Sequence, residues 1–261
     1  CAIGKSMNQW PSWLPLRQNL QELSAYGAPQ LPADAVMNTN ENPYPPSAAL
    51  AKAIADRISE VALTLNRYPD RDALVLRGKL ADFINGLSRT KFGSANVWAA
   101  NGSNEIIQSL FMAFGSGSAL GFTPSYSMHP LIAKVTGAQW IDGKRNDDFS
   151  LNIPSAIVEI EKHKPTLTFI TTPNNPTGGA VTIDEIQKLA DACKAVGGLL
   201  VVDEAYAEFS QEKSAVTLFT NNPHVLVIRT MSKAFAFAGA RLGYLVSDVA
   251  VKDAMMIVRL P

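Results

Sequence analysis

The sequence predicts an α/β protein of three layers, in which a mainly parallel β-sheet lies between two layers of helices. Two observations lead to this prediction. Short runs of consecutive apolar residues are typical of strands buried on both faces, and they alternate with stretches in which apolar residues recur at helical spacing. Strands that alternate with helices favour parallel pairing, because each helix returns the chain to the end where the next strand begins.

The composition supports a globular domain with a real core. The chain has 261 residues, of which 47% are hydrophobic, and this excludes a disordered chain or a small disulfide-stapled scaffold. Charged residues make up 18%, below the usual value of about 25%, which weakly indicates surface buried between subunits. Lys plus Arg and Asp plus Glu each number 23, so neither a nucleic acid nor an anionic membrane is indicated as a partner.

The first segment, residues 1–46, is predicted to be an irregular arm that covers the rest of the chain. It contains Trp10, Trp13 and repeated prolines, which cannot donate a backbone N–H to a ladder. Neither Cys1 nor Pro261 resembles a finished terminus, so we expect a fragment and interpret Cys1 as the start of a clipped chain rather than an acylated residue.

The elements after the arm follow from the apolar pattern. Strands are predicted at 97–100, 119–122, 167–172, 199–203, 225–230 and 241–246. Helices are predicted at 47–63, 71–87, 104–114, 153–163, 182–196 and 248–258. Thr182 and Glu185 form a T-x-x-E capping box at the start of the fifth helix. Ligands of such sheets bind beyond the carboxyl ends of the strands, so the residues just after each apolar run are the site candidates.

Several kinds of site and location are not indicated. Cys193 recurs at helical spacing with Ile186 and Leu189, so it is predicted to be a core residue in a protein of the reducing cytoplasm. No apolar run approaches the roughly 18 residues of a membrane span, and no signal peptide is recognisable. The histidines, at positions 129, 163 and 224, are scattered, so no metal site is predicted.

Two strand ends suggest anion and amide sites. Asn101-Gly102-Ser103-Asn104 follows the first strand and leads into a helix, a turn that exposes N–H groups to a phosphate at the positive helix end. An ordinary turn would have the same composition. Pro173-Asn174-Asn175-Pro176 follows the third strand as a stiff turn that holds two amides in place, or simply as a tight loop.

The next two strand ends carry charge. Asp203 ends a buried strand, and such a carboxylate needs a cation, either a protonated ring nitrogen of a ligand or an arginine. Lys233 lies in an apolar stretch, where burial lowers an amine pKa and makes a nucleophile suited to a Schiff base. Thr230, Ser232 and Arg241 add two hydroxyls and a guanidinium suited to a phosphate.

Taken together, these groups match the needs of pyridoxal phosphate. That cofactor requires a lysine for its aldehyde, a carboxylate for its pyridinium nitrogen, donors for its ring oxygen and a cup for its phosphate. The lysine then serves as the base that moves a proton between substrate and cofactor.

The strings PNNPTG, DEAYAEF and MSKAFAFAGARLGY resemble those of fold-type I pyridoxal-phosphate aminotransferases, which share the aspartate-aminotransferase-like fold. NTNENPYPPS, RYPDRDAL and ANGSNE are similar to strings of the histidinol-phosphate aminotransferases among them. The resemblance implies that Lys233 binds the cofactor covalently and that Asp203 pairs with its ring nitrogen. It further implies that Asn175 and Tyr206 contact the ring oxygen, with Tyr206 counted among the catalytic groups, and that Tyr126 stacks on the ring.

The resemblance also assigns residues to the phosphate and to the substrate. The phosphate would be held by the start of the helix after the first strand and by the loop around Lys233, through Ser103, Asn104, Thr230, Ser232 and Arg241. Tyr68 would reach the cofactor and substrate of a neighbouring subunit, which implies a homodimer with shared sites. Tyr26 would cover the substrate.

The implied reaction is the reversible transfer of an amino group between L-histidinol phosphate and 2-oxoglutarate, giving imidazole-acetol phosphate and L-glutamate, in histidine biosynthesis. We expect residues 47–261 to form the cofactor-binding large domain. The small C-terminal domain of the family, with the arginines that bind the substrate anion, is expected to be absent.

The same motifs occur in proteins of other functions. An aromatic-amino-acid aminotransferase or a decarboxylase of amino-acid phosphates would share the same cofactor motifs. The chain could also be an inactive cofactor-binding or assembly module. A nucleotide-binding Rossmann protein is disfavoured, since no G-x-G-x-x-G opens a helix after the first strand.

Overall fold

A seven-stranded sheet forms the centre of the molecule in a computed structural model, which describes residues 10–28 and 32–259. Its strands are β1 Val97–Ala100, β2 Ser118–Thr123, β3 Gln139–Lys144, β4 Leu167–Thr171, β5 Leu199–Asp203, β6 Val225–Thr230 and β7 Gly243–Val246. The spatial order is β1-β7-β6-β5-β4-β2-β3, and the pairs from β3 through β6 are parallel, while β7 runs antiparallel to β1 and β6. The predicted α/β class with a mainly parallel sheet is confirmed.

The helices of the described residues are α1 Gln18–Gln21, α2 Ala48–Ala62, α3 Leu74–Ser88, α4 Ser103–Phe114, α5 Met128–Thr136, α6 Ile153–His163, α7 Ile183–Ala195 and α8 Val249–Val258. Helices α3 to α8 cover the two faces of the sheet. The predicted capping box of α7 is confirmed, since Thr182 Oγ1 accepts from the Glu185 N–H while the Glu185 carboxylate accepts from the Thr182 N–H at 2.9 Å.

Four elements differ from the sequence prediction. Helix α1 is a helix of four residues within the arm that was predicted to be irregular. Strand β3 was not predicted because it lies at the sheet edge and its sequence, QWIDGK, is not a continuous apolar run. Helix α5 was not predicted because it follows a short polar turn and carries a proline in its first turn. The predicted strand 241–246 begins only at Gly243, since Arg241 has a φ of +54°, outside the β region.

The core is divided by the sheet into two clusters. In β5, Leu200 and Val202 point to one face while Val201 points to the other, and all three are buried. Helices α3, α6 and α7 cover the first face, and α4, α5 and α8 cover the second. Cys193 is buried in the first cluster as a free thiol, as predicted, and burial raises its pKa to about 11.

The segment before α2 contains little regular structure. Helix α1 lies against the end of α5, where Arg17 donates to the Val135 carbonyl and Asn19 to the Lys134 carbonyl, both at 2.6 Å. Further along, residues 38–42 reach the carboxyl ends of the central strands. Cys1 and Pro261 lie outside the described residues.

Among the helices in residues 10–28 and 32–259, none combines the length and the apolar character needed to cross a membrane. The same ranges contain no cluster of three or more His, Cys, Asp or Glu side chains arranged to hold a metal ion.

Candidate active site

A cavity of about 600 Å³ opens at the carboxyl ends of the central parallel strands. Every site residue predicted from the sequence except Tyr68 lines it. They are Tyr26, Ser103, Asn104, Tyr126, Asn175, Asp203, Tyr206, Thr230, Ser232, Lys233 and Arg241. Strands β4, β5 and β6 each end at this cavity, which explains why residues far apart in sequence meet there.

The buried floor of the cavity carries Asp203. Its Oδ1 accepts from the Ala205 N–H at 3.1 Å, and its Oδ2 lies 3.0 Å from His129 Nε2. An arginine is one of the two cations that the sequence suggests for Asp203. In the structure Arg229 pairs with Glu204 instead, with its Nη2 2.8 Å from Glu204 Oε2. Asp203 therefore has His129 as its side-chain partner, and no lysine or arginine of residues 10–28 and 32–259 forms an ion pair with it.

Lys233 stands at the side of the cavity with its amine half-buried. Its Nζ donates to the Thr39 carbonyl at 2.7 Å and lies 5.9 Å from the centroid of the Tyr206 ring. Burial lowers the pKa of the Lys233 amine, the charge of Glu41 opposes this shift, and Arg241 adds to it. The lowered pKa increases the fraction of neutral, nucleophilic amine near neutral pH.

The start of α4 and the loop after β6 form a second, polar wall. Gly102 precedes α4 with a φ of +87°, and a Cβ added there would lie 2.6 Å from Nη2 of Arg241. The Arg241 guanidinium therefore lies against the first turn of α4, at the positive end of the helix dipole. Thr230 Oγ1 lies 3.0 Å from Ser232 Oγ on the same side. A guanidinium, hydroxyls and helix N–H groups together form a suitable cup for a phosphate.

Two tyrosines flank the space between these walls. The Tyr126 hydroxyl donates to Asn104 Oδ1 at 3.1 Å, and burial raises the pKa of Tyr126 to about 12, so its phenol stays neutral. Tyr206 Oη accepts from Asn40 Nδ2 at 3.0 Å, and burial raises the Tyr206 pKa as well. Both tyrosines thus present neutral aromatic groups to the cavity.

The turn that carries Asn175 is held by its buried neighbour. Asn174 Oδ1 accepts from Ser125 Oγ at 2.9 Å, and Asn174 Nδ2 donates to the Pro124 carbonyl at 3.0 Å. The side chain of Asn175 lines the cavity and makes no hydrogen bond within the described residues. Its amide is therefore available to a ligand.

The remaining predicted residues lie at or beyond the rim. Tyr26 lines the mouth of the cavity with most of its side chain exposed. Tyr68 is 99% exposed and does not line the cavity. This placement leaves untested the prediction that Tyr68 serves the site of a second subunit.

Sequence reasoning missed two groups of residues at this site. His129 was treated as one of three scattered histidines, because α5, which presents it to Asp203, was not predicted. Asn38, Thr39, Asn40 and Glu41 also line the cavity. Their string, NTNEN, was used only for the resemblance, although its run of amide and hydroxyl side chains could have signalled a site.

Comparison with known proteins agrees with this geometry. Residues 35–261 match the family described as aminotransferase class I and II. The chain is 53% identical over 252 residues to the histidinol-phosphate aminotransferase of Mycolicibacterium vanbaalenii, covering 95% of this chain and 68% of the relative. It is 52% identical over 251 residues to that of Mycobacterium marinum, covering 95% of this chain and 65% of the relative.

Solved structures show the same fold. The histidinol-phosphate aminotransferase from Sinorhizobium meliloti in complex with pyridoxal-5′-phosphate superposes with a TM-score of 0.71 at 22% identity, covering 85% of this chain and 58% of that one. The chain therefore spans about two thirds of the length of the curated relatives and somewhat less of this solved structure.

Proposed function

The chain belongs to the aminotransferase class I and II family, and from this membership we propose that it acts as a histidinol-phosphate aminotransferase with pyridoxal phosphate as cofactor. The reaction transfers an amino group reversibly between L-histidinol phosphate and 2-oxoglutarate and gives imidazole-acetol phosphate and L-glutamate, a step of L-histidine biosynthesis. The names of relatives that are 53% and 52% identical support this choice of substrate.

One observation carries the cofactor assignment: Asp203 and Lys233 face the same cavity from two strand ends. A buried carboxylate that no lysine or arginine pairs with in the described part of the chain suits a protonated ring nitrogen, and an amine of lowered pKa suits an aldehyde. The polar wall of Ser103, Ser232 and Arg241 suits the phosphate. When bound, pyridoxal phosphate supplies an electron sink for the bond electrons of the substrate carbon.

Asp203 holds a proton on the ring nitrogen by its negative charge. The two contacts to Asp203, from the Ala205 N–H and from His129 Nε2, fix the direction of its carboxylate. A positioned charge acts without reorganisation during the reaction, so this arrangement favours the electron-withdrawing state of the ring.

Lys233 Nζ moves the proton of the substrate carbon. Its lowered pKa places the neutral amine, the form that can accept this proton, closer to neutral pH. Tyr206 and Asn175 line the cavity where they would donate to the ring oxygen of the cofactor, and Tyr126 would pack against its ring face. Tyr26 closes the mouth of the cavity over the substrate.

We also propose a homodimer in which Tyr68 completes the site of the partner. Helix α2, which precedes Tyr68, buries none of its residues in this chain and exposes Leu50, Ile58 and Val61. Such a helix needs a second surface to cover its apolar side chains. The highly exposed Tyr68 lies shortly after this helix.

The division of the chain is part of the same proposal. We assign residues 47–261 to the cofactor-binding domain and residues 1–46 to a covering arm. The described part of the arm supports this division, since Tyr26 and residues 38–41 line the cavity. A cytoplasmic location is supported by the free thiol of Cys193.

The proposal is tested in two steps. Pyridoxal phosphate added to the protein should give the absorbance of a lysine-bound cofactor, and Lys233→Ala should abolish it; an unchanged band would disprove the role of Lys233. Rates are then compared with L-histidinol phosphate and L-phenylalanine as amino donors. Equal or reversed preference would favour an aromatic aminotransferase, and a band without any amino transfer would favour a cofactor-binding module.

A further inference from the structure

Asn40 holds an unusual backbone conformation beside the cavity. Its φ of +52° lies in the left-handed region, which asparagine tolerates better than most residues because of its short polar side chain. The chain on either side is fixed to the Lys233 loop. The Thr39 carbonyl accepts from Lys233 Nζ at 2.7 Å, and Asn42 Nδ2 donates to the Ala234 carbonyl at 3.2 Å.

This conformation directs the Asn40 amide to Tyr206. Asn40 Nδ2 donates to Tyr206 Oη at 3.0 Å, across 166 positions of sequence. A phenol has one proton to donate and two sites that accept. Because the Tyr206 oxygen accepts a hydrogen bond from Asn40, the hydroxyl proton of Tyr206 is not donated to Asn40 and can point into the cavity.

We propose that Asn40 is a positioning residue that orients the Tyr206 hydroxyl proton toward the ring oxygen of the cofactor. This inference rests on the proposed function, which places Tyr206 at that oxygen. Two charged groups act on the Tyr206 side chain, Asp203 from the end of β5 and Lys233 from the loop after β6. Neither accepts the proton of Tyr206 in this structure, which leaves the direction of that proton to Asn40.

Three variants separate proton direction from other effects. Asn40→Asp keeps the shape and tolerates a positive φ, but its carboxylate only accepts and therefore turns the Tyr206 proton away from the cavity. Asn40→Gly keeps the backbone conformation and removes the amide. Tyr206→Phe removes the hydroxyl and serves as the reference.

The readout is the pH midpoint of the absorbance change of the cofactor-loaded protein, together with the dissociation constant of pyridoxal phosphate. A donor on the ring oxygen reduces the negative charge available to the nearby nitrogen that joins Lys233 to the cofactor. Loss of that donor therefore raises the pKa of this nitrogen and moves the midpoint to higher pH.

Tyr206→Phe should show this shift with roughly tenfold weaker cofactor binding. Asn40→Asp should reproduce at least half of the shift, and Asn40→Gly, which removes the amide, should give a smaller but measurable shift in the same direction.

A double-mutant cycle separates the hydroxyl from the added charge, because a carboxylate near the cofactor also raises the midpoint directly. The shift caused by Asn40→Asp should largely vanish in the Tyr206→Phe background. The inference is overturned if that shift persists in full, if Asn40→Asp or Asn40→Gly titrates like the wild type, or if Tyr206→Phe has no effect.

These failures are distinct from failure of the proposed function. If Lys233→Ala keeps the cofactor absorbance, the cofactor site itself is wrongly assigned. If Lys233→Ala loses it while both Asn40 variants behave like the wild type, only the role of Asn40 is disproved.

Discussion

His129 Nε2 lies 3.0 Å from Asp203 Oδ2, and each of the two side chains is 2% exposed. The pair joins helix α5 to the end of β5. His129 is held in turn by the ring of Phe169, whose centroid is 4.8 Å away, and by the edge of Tyr126. The carboxylate that we assign to the cofactor nitrogen is thus aimed by a group outside the cavity.

His129→Phe should weaken binding of pyridoxal phosphate. The variant keeps aromatic packing but removes a hydrogen bond to a charged group, a contact worth about 1.5–3 kcal/mol, or roughly ten- to a hundredfold in the dissociation constant. Equilibrium titration of the cofactor measures the change. His163→Phe is the matched control, because His163 pairs with Glu159 on the outer side of α6 and should leave the constant unchanged. Equal constants for wild type and His129→Phe would contradict the role assigned to His129.

Lys233 should titrate at lower pH than an exposed lysine in the cofactor-free protein. Burial disfavours the charged amine and lowers its pKa, so the neutral, reactive form appears earlier as the pH rises. Competitive labelling with an amine reagent, read by mass spectrometry of peptides, gives a pH midpoint for each lysine. Lys52 is the comparison, since its side chain is 75% exposed. Coincident midpoints for the two lysines would contradict this prediction.

Much of this site could be predicted from residues at strand ends, while its supporting contacts could not. Asp203, Asn175 and Lys233 follow apolar runs, and parallel strands bring such positions to one edge. The partnership of His129 with Asp203 depends on how α5 packs after β2, across 74 positions of sequence. Local pattern carries no information about that packing.

The fold shows the same limit. Central strands such as β5 are buried on both faces and read as continuous apolar runs, so their sequence identifies them. Edge strand β3 is partly exposed and mixes polar with apolar residues, so its pattern does not distinguish it from a loop. Strand β7 runs antiparallel to β6 because a loop, closed by a bond from the Met231 N–H to the Leu242 carbonyl at 2.9 Å, returns the chain to the same end of the sheet without a crossover helix.

Gly102→Ala should damage the phosphate wall as well as the backbone. The residue has a φ of +87°, and its new Cβ would lie 2.6 Å from Arg241 Nη2, so the guanidinium must move away from the start of α4. Gly137→Ala is the control, because Gly137 has a φ of +90° but nothing within 4 Å of an added Cβ. Backbone strain should destabilise both variants by about 1–3 kcal/mol in urea unfolding, and Gly102→Ala more, because the ψ of 166° at Gly102 lies in a region that only glycine readily adopts, while the ψ of 9° at Gly137 is left-handed helical. Only Gly102→Ala should also weaken cofactor binding; equal binding by both variants would show that Arg241 is not held by this contact.

Arg229→Leu should destabilise the fold strongly through the charge it leaves behind. Arg229 and Glu204 are both buried, with Nη2 2.8 Å from Oε2, and Arg229 Nη1 lies 2.9 Å from Glu208 Oε1. The charges of Glu204 and Glu208 outweigh burial and raise the Arg229 pKa, so the guanidinium is permanently charged. Removing one partner of such a pair costs about 3–5 kcal/mol, because the other charge stays buried without compensation. The free energy of unfolding in urea measures the loss.

The double variant Arg229→Leu with Glu204→Leu separates two contributions to the free energy of unfolding: the attraction within the ion pair, and the destabilisation caused by a buried charge without a partner. Apolar side chains in place of both ions remove the desolvated carboxylate, so stability should recover most of the loss seen with Arg229→Leu alone. Glu204 also accepts from Ser214 Oγ at 2.7 Å and from the Ala215 N–H at 2.6 Å, and these donors lose their partner in the double variant. Recovery should therefore stop short of the wild type. A double variant less stable than Arg229→Leu would mean that these two hydrogen bonds, rather than the ion pair, hold the end of β5 beside Asp203.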